Sequence, residues 1–442
     1  MRTSAVKYAV LSWVSLLTMV IFFLVPFHAL LTVWGSSLIG HYTALRLWKE
    51  VLLVICIIGV VYLYLFDTKI RYHTFSRRLV WTILCYMALN IAWGLLALNQ
   101  HDVTAKALGY GLIVNLRFLA FFLVTWSVAL RMGRLRIHWQ WLVIYPAIGV
   151  VVFGLLQIFV LPHDFLRHFG YGPNTIPPFE TINHNSHYVR FASTLRGANP
   201  LGAYLLVPIS LLAVLLVRNG RNWGQALLMA GSVVLLFFSF SRSAWIGAAL
   251  SVVVVLFLSH LAPKTQRLAL FVTGGMLVIA AIVALAFRHD IKYQNLIFHT
   301  QKNSAVAATS DQGHLKALRA GLHDVWHHPG GDGPGTAGPA SYYNTGHPVR
   351  IAENYYVQIG QETGWIGLAL FVLINAGVGY LLFLRRDDPL ALSLFASLIG
   401  LTFINLFSHA WADDTLAYVW WGLAGVALAP NPKAKAEHEK AR

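Results

Sequence analysis

The chain has 442 residues, of which 57% are hydrophobic and only 11% are charged. Soluble domains carry roughly 25% charged residues, so this composition excludes an ordinary water-soluble protein and indicates one integral membrane unit. The formal net charge of +16 would suggest a polyanionic partner in a soluble protein, but in a membrane protein it marks the orientation of the loops, and no nucleic acid is expected.

Apolar runs of about 18 residues or more predict an all-α polytopic membrane protein with twelve transmembrane helices. The expected helices are 8–33, 44–66, 79–98, 108–130, 139–161, 199–217, 223–240, 243–261, 267–287, 354–384, 389–407 and 411–429. The first run is longer than the apolar core of a cleaved signal peptide, so we interpret it as a membrane helix. Residues 1–429 would then form one transmembrane domain, and residues 430–442 a cytoplasmic tail.

Basic residues are concentrated in short links that alternate along the chain. These links are 67–78, 131–138, 218–222 and the pair at 385–386. The positive-inside rule predicts that they are cytoplasmic, together with both termini. The remaining links would be extracytoplasmic, and two of them are long enough to suggest a function, namely 162–198 and 288–353.

The second long loop, between the predicted ninth and tenth helices, contains a helical pattern. Leu315, Leu318, Leu322 and Trp326 follow one another at spacings of three and four, so we expect an amphipathic helix that packs on the outer face of the bundle. The glycine-rich run at 330–340 lacks the Lys-Ser/Thr ending of a phosphate-binding loop, and turn formation explains its glycines and prolines.

Ser241 and Arg242 interrupt two apolar runs that would otherwise fuse. Arg242 is either an arginine that extends toward water from a helix end, or part of an anion site. In the second interpretation its guanidinium and the free N–H groups at the start of the next helix would bind phosphate oxygens.

Arg117 lies near the middle of the predicted fourth helix. It either pairs inside the bundle, with Glu362 or with a polar side chain, or projects into a ligand cavity.

Polar residues are also concentrated at the start of the predicted tenth helix. Asn354, Gln358 and Gln361 lie at positions i, i+4 and i+7, so they form one stripe that must face protein or a water-filled cavity. Glu353, just before them, is either a carboxylate favoured by the helix dipole or a general base.

His323 and His327 have the i, i+4 spacing of zinc ligands, but the glutamate of the metalloprotease pattern and an obvious third ligand are missing. We therefore expect no metal site there.

These motifs together resemble the bacterial O-antigen ligase and polymerase superfamily of membrane glycosyltransferases, over roughly residues 190–410. The ligases have a His-Asn pair followed by nine residues, Gly, two residues and Gly. Asn354, Gly364 and Gly367 reproduce this spacing, and Glu353 stands where the ligases have His. Further similarities are the pair Ser241-Arg242, the segment RGANPLGAYLL at 196–206, and Ser310, Gly313 and His314 followed by Pro329 and GDGPG.

The resemblance implies a fold like that of polytopic (GT-C-like) glycosyltransferases in the bacterial inner membrane, with the active site on the extracytoplasmic side. It also implies transfer of a glycan from an undecaprenyl-pyrophosphate donor to a hydroxyl of a glycan, lipid or protein acceptor, with inversion and without metal or cofactor. Membrane lipids would be further partners. By this resemblance Glu353 is the catalytic base. The donor pyrophosphate would be bound by Arg242 first, then by Arg196, Arg319, His314 or Arg117, and Asn354, Gln358 and Ser241 would support the site.

Two alternatives remain open. Glu in place of His leaves the acceptor class undecided between ligation, polymerisation and other transfers. A transporter or flippase of lipid-linked glycans could use the same cavity and cations without any transfer, although transporters commonly show internal repeats, and none is evident in this sequence.

Overall fold

The computed structural model describes residues 2–182, 185–220, 222–259 and 310–430, together with isolated positions between 264 and 286. Within these residues the chain is almost entirely helical. The helices are α1 (Arg2–Leu24), α2 (His28–Ile39), α3 (Tyr42–Leu45), α4 (Trp48–Phe66), α5 (Thr68–Phe75), α6 (Arg78–Asn99), α7 (Ala105–Ala129), α8 (Arg134–Phe159), α9 (Ala198–Asn219), α10 (Trp223–Phe238), α11 (Arg242–Leu258), α12 (Ser310–His327), α13 (Tyr355–Leu384), α14 (Pro389–Asn405) and α15 (Asp414–Leu428).

Length and hydropathy confirm an integral membrane protein. Among the described residues, seven helical spans are long and apolar enough to cross a membrane, and α10, α11 and α14 are shorter apolar helices. Helices are found at the predicted positions, except that the predicted ninth helix, 267–287, and the tail beyond residue 430 lie outside the residues described as continuous structure. The predicted total of twelve therefore stays a prediction.

The first span differs from its prediction. It extends from Ala5 to Ile39, because α1 continues through a short 3-10 turn at Val25–Phe27 into α2. Pro26 lies in this turn. Proline cannot donate the backbone hydrogen bond of an α-helix interior, so the chain tightens there without ending the span.

The loop 162–198 contains a small β-hairpin that the all-α prediction missed. Its strands are β1 (Glu180–Ile182) and β2 (Asn185–Arg190), and they pair antiparallel with Glu180 opposite Arg190. Strands this short carry too weak an alternation to be recognised from sequence.

The core lies around α7 and α15, which are buried over most of their length. Glycines let these two helices approach closely, since a Cβ on Gly425 would lie 2.5 Å from the carbonyl oxygen of Phe122. Helices α11 and α14 cross in the same way at Gly247 and Gly400. Close contact through small residues is a common means of packing helices in membranes.

The basic links lie together at one end of the bundle, as the charge pattern predicts. Their side chains bond to a carboxylate and to backbone carbonyl groups, one of them at the C-terminus of α15, where positive charge is favoured. The contacts are Arg131 to Asp67 (2.7 Å), Arg218 to the carbonyl of Asp387 (2.7 Å) and Arg385 to the carbonyl of Ala427 (2.6 Å). That this end faces the cytoplasm stays a prediction.

Helix α12 confirms the helix predicted in the second long loop, but the expected packing face was wrong. Leu318, Gly321 and Val325 pack toward α13, whereas Leu315, Leu322 and Trp326 are exposed. Gly321 allows this approach because its missing side chain leaves room for Ala352 and Val357. Because glycine is not hydrophobic, the hydrophobic pattern did not indicate that the face with Gly321 packs against α13.

Helix α13 is broken at Gly364, and the glycine-rich loop that follows α12 fills the break. Gly364 has φ 64° and ψ −166°, outside the helical region. The loop satisfies the backbone groups that the break leaves unpaired, since Trp365 N–H donates to the Pro329 carbonyl (3.0 Å) and Gly333 N–H donates to the Glu362 carbonyl (2.8 Å). The glycines of the loop therefore do more than form turns, which corrects the sequence interpretation.

Replacing Gly364 by alanine should destabilise the protein strongly. The φ and ψ of Gly364 lie in a region that essentially only glycine adopts, which costs another residue about 1–3 kcal/mol, and the new Cβ would also lie 2.2 Å from the Pro329 carbonyl oxygen. Gly346→Ala is the matched control, because Gly346 has φ 89° but no atom within 4 Å of its Cβ position. Thermal unfolding in detergent should show a clearly larger loss for Gly364→Ala. Equal losses of thermal stability in the two variants would mean that the loop does not pack tightly against the helix break.

Candidate active site

Glu353 and His314 contact each other, although 38 residues separate them in the sequence. His314 lies in the first turns of α12 and Glu353 lies just before α13, and Nδ1 of the histidine contacts Oε2 of the carboxylate. Both side chains remain partly exposed. Two sequence-predicted site residues thus form one acid–base pair that a ligand in solvent can reach.

The backbone at Glu353 is held in an unusual conformation. Its φ is 52°, a left-handed value that is uncommon for residues other than glycine and is often found at functional sites. The next residue fixes it from the other side. Asn354 caps α13 by accepting from Val357 N–H (3.0 Å) and donates to the Leu406 carbonyl (3.1 Å).

A cleft of about 310 Å³ lies beside this pair, between α12 and residues 349–352. Gly313 and Ala352, the neighbours of His314 and Glu353, belong to its lining. Lys316, Asp324, Arg350 and Gln361 supply polar groups to its wall. The cleft has the size of a small-ligand site, and its lining includes the sequence neighbours of the acid–base pair.

Asn354, Gln358 and Gln361 are all buried. Of the two surroundings that the sequence left open, Asn354 and Gln358 therefore face protein, whereas Gln361 also lines the cleft. Gln358 lies against Gly338, whose missing side chain provides the space. Gln361 donates to Asp324 (2.8 Å).

Arg350 ties α12 to the glycine-rich loop. Its guanidinium lies 3.0 Å from Asp324 and also pairs with Asp332, while its carbonyl accepts from Gly338 N–H (2.8 Å). These contacts fix the chain three residues before Glu353. Arg350 was not among the predicted site residues, and its position three residues before Glu353 is the sequence feature that could have indicated it.

A second group of polar residues lies at the start of α11. Ser241 is buried at the N-cap position, its hydroxyl makes no capping bond, and Arg242 is the first residue of the helix. Arg190 of β2 donates to the Ser239 carbonyl (3.0 Å) and lies 3.6 Å from Glu180.

The charges of Arg190 and Arg242 affect each other. Burial lowers the pKa of Arg190, Glu180 opposes this effect, and the positive charge of Arg242 lowers the pKa further. Two cations beside a helix N-terminus are suited to phosphate oxygens. Sequence reasoning missed Arg190, because the hairpin that positions it was not predicted.

The C-terminal end of α14 lies between the two groups. Asn354 binds the carbonyl of Leu406, just after α14. On the other side α14 runs antiparallel to α11, since Gly247 approaches Gly400 and Ile404, and Ser251 approaches Gly400. The starts of α11 and α13 are therefore at the same end of the bundle, with the end of α14 between them.

The other predicted cations are distributed around this end. Arg196 is partly exposed and lies 3.7 Å from Asp413, the N-cap of α15. Arg319 is exposed on α12, about one and a half turns beyond His314.

Arg117 pairs inside the bundle, as one of the two sequence interpretations expected, but its partner is Glu50 and not Glu362. Its guanidinium lies 3.3 Å from Glu50 and donates to the Ala412 carbonyl (2.7 Å). Glu362 instead accepts from Gly335 N–H (2.8 Å) and from Asn115 (2.7 Å). The loop that brings Gly335 into the core replaces the arginine as the partner of the carboxylate.

Lys49 and Asp414 extend the ion pairs around Arg117, with Lys49 3.0 Å from Asp414. The positive charge of Arg117 is thus matched by neighbouring protein carboxylates.

The rings of His323 and His327 stack at 3.9 Å. In the part of the chain that the structure describes, no three His, Cys, Asp or Glu side chains are grouped so that they could hold a metal ion.

No curated protein matches the chain. A protein-family comparison gives one match, between residues 226–372 and the family described as O-antigen ligase. The matched segment contains Arg242, His314, Arg319, Glu353 and the break at Gly364, and it covers about a third of the chain. Over residues 226–372 this match confirms the resemblance to O-antigen ligases that the motifs indicated.

Proposed function

We propose that this protein is a membrane glycosyltransferase that moves a glycan from undecaprenyl pyrophosphate to an acceptor hydroxyl on the extracytoplasmic face, as an O-antigen ligase or polysaccharide polymerase. The family match supports the reaction class. The observation that carries the proposal to specific residues is the contact between Glu353 and His314 beside an open cleft, within the matched segment.

Glu353 is proposed as the general base. The acceptor oxygen forms a bond to the anomeric carbon while its proton passes to the Glu353 carboxylate. The bond from that carbon to the pyrophosphate oxygen breaks, and its electron pair leaves with the pyrophosphate. A direct displacement of this kind inverts the anomeric configuration. His314, in contact with the carboxylate, orients it and can receive or return the proton.

Arg242 is proposed to stabilise the leaving pyrophosphate. Negative charge grows on the phosphate oxygen as the bond breaks, and cations already in place stabilise it most where water is partly excluded. Arg190, which lies close enough to Arg242 for their charges to interact, would share this role. Arg196 and Arg319 flank the site and would attract the anionic donor.

Glu353→Gln should keep donor binding but reduce transfer by about 10²–10⁴-fold, the usual contribution of a positioned base. The assay combines purified protein, lipid-linked oligosaccharide and candidate acceptors, and measures released undecaprenyl pyrophosphate. The control is Asp164→Asn, which neutralises an exposed carboxylate in the loop 162–198. Normal turnover by Glu353→Gln would remove Glu353 from the mechanism. If the protein binds the donor but releases no undecaprenyl pyrophosphate with any of the acceptors, the result would favour transport instead.

Arg242→Gln should weaken donor binding on the order of tenfold to a hundredfold, the value of a hydrogen bond to a charged group. Arg167→Gln is the matched control, since Arg167 is an exposed arginine paired with Asp164. Equilibrium binding of the lipid-linked donor measures the effect. Equal affinity in both variants would place the pyrophosphate away from the start of α11.

Chelation of divalent metal ions should leave turnover unchanged, because the proposed charge stabilisation comes from arginine side chains. The test is the release assay with and without EDTA. A loss of turnover that magnesium or manganese restores would contradict the metal-independent mechanism.

A further inference from the structure

Helix α12 has three faces with different surroundings. One face packs on α13 through Gly321 and Val325, which approach Val357 and Gly360. A second face, with Lys316 and Asp324, lines the cleft.

The third face is an exposed apolar stripe formed by Leu315, Leu322 and Trp326. These side chains are 46%, 51% and 73% exposed. Their spacing of seven and four residues places them on one side of the helix, away from the residues that line the cleft. Large apolar side chains aligned on one side of a helix mark a contact surface.

The apolar stripe continues into the lipid-facing surface of α13. The ring of Trp326 lies 6.1 Å from that of Trp365. Trp365 and Ile366 are 46% and 68% exposed, whereas no residue between Tyr355 and Gly364 is exposed. The surface of α13 that can meet lipid therefore begins at the level of Trp326.

Helix α6 gives a second marker of the same level. Trp93 donates to the carbonyl of Gly331 (3.3 Å), so the end of α6 lies beside the glycine-rich loop. Leu95 and Leu96 are exposed there. Tryptophan side chains are enriched where a membrane meets water, and the ring pair of Trp326 and Trp365 lies where the exposed surface of α13 begins.

We propose that the apolar stripe of α12 is inserted into the membrane interface at the Glu353 end of the bundle, with Trp326 deepest and Leu315 nearest the headgroups. The occupant of the stripe is the lipid bilayer. The apolar face of an interfacial helix enters the headgroup and acyl boundary by about 5–10 Å. Arg319 lies beside the stripe, where its guanidinium reaches lipid phosphates. The lipid contact anchors the helix that carries His314, while the cleft on its other side stays open to water.

The test measures depth along the helix in the full chain, reconstituted in phosphatidylcholine vesicles. Exposed Cys85 is replaced by alanine, and buried Cys56 remains because it is inaccessible to the label. Single cysteines replace Leu315, Leu322 or Trp326 and carry an environment-sensitive fluorophore. Ala320→Cys, on the cleft face, is the matched control. None of the four positions is buried, so a cysteine at any of them removes little core packing. Only Ala320 lines the cleft.

The expected result is a gradient. The label at 326 should show blue-shifted emission and the strongest quenching by spin labels on the acyl chain. The label at 315 should respond most to a spin label on the headgroup, and the label at 320 only to aqueous iodide. Iodide quenching of all four labels would overturn the proposal. Protection from both iodide and lipid quenchers would also overturn it, because a second copy of the chain would then cover the stripe.

Discussion

The break in α13 at Gly364 is the constraint on which the rest of this end of the molecule depends. A helix interrupted in a buried position leaves N–H and C=O groups that water cannot reach, and each one costs free energy unless protein pairs it. Here the segment Pro329–Gly333 enters the bundle and makes those bonds. The loop must therefore be glycine-rich, and it must stay attached to α12. Through this attachment the break positions both α12 and the start of α13.

Glu353 and His314 meet because of this arrangement. Each lies near the N-terminal end of a helix, one on α12 and the other just before α13, and the two helices pack side by side through Gly321 and Gly360. Arg350, bonded to Asp324 and Asp332, fixes the segment between loop and helix. A broken helix in a transporter can open a substrate site at its unwound turn. In this chain the loop fills that turn, and the open cleft lies above it, beside the acid–base pair.

The cations of this end differ in their surroundings. Arg117 and Lys49 are buried and paired with Glu50 and Asp414, and removing one partner of such a group would leave a buried charge uncompensated. These ion pairs connect α4, α7 and α15. Arg242 and Arg190 lie beside a helix N-terminus, where an anion gains from both the side chains and the helix dipole. The position at a helix N-terminus supports the donor role proposed for Arg242 over that of Arg117.

The sequence by itself determined the membrane class, the positions of most helices, the clustering of basic links at one end, and the family region around Glu353. Hydropathy and motif spacing are local properties of the chain, so the sequence contains them directly. Only the tertiary structure decided which face of α12 packs, which partner Arg117 takes, that Arg190 joins Arg242, and that His314 contacts Glu353. These outcomes depend on where a glycine permits close approach and on which loop enters the core. Both are contacts between residues far apart in the chain, and a pattern along the sequence does not encode them.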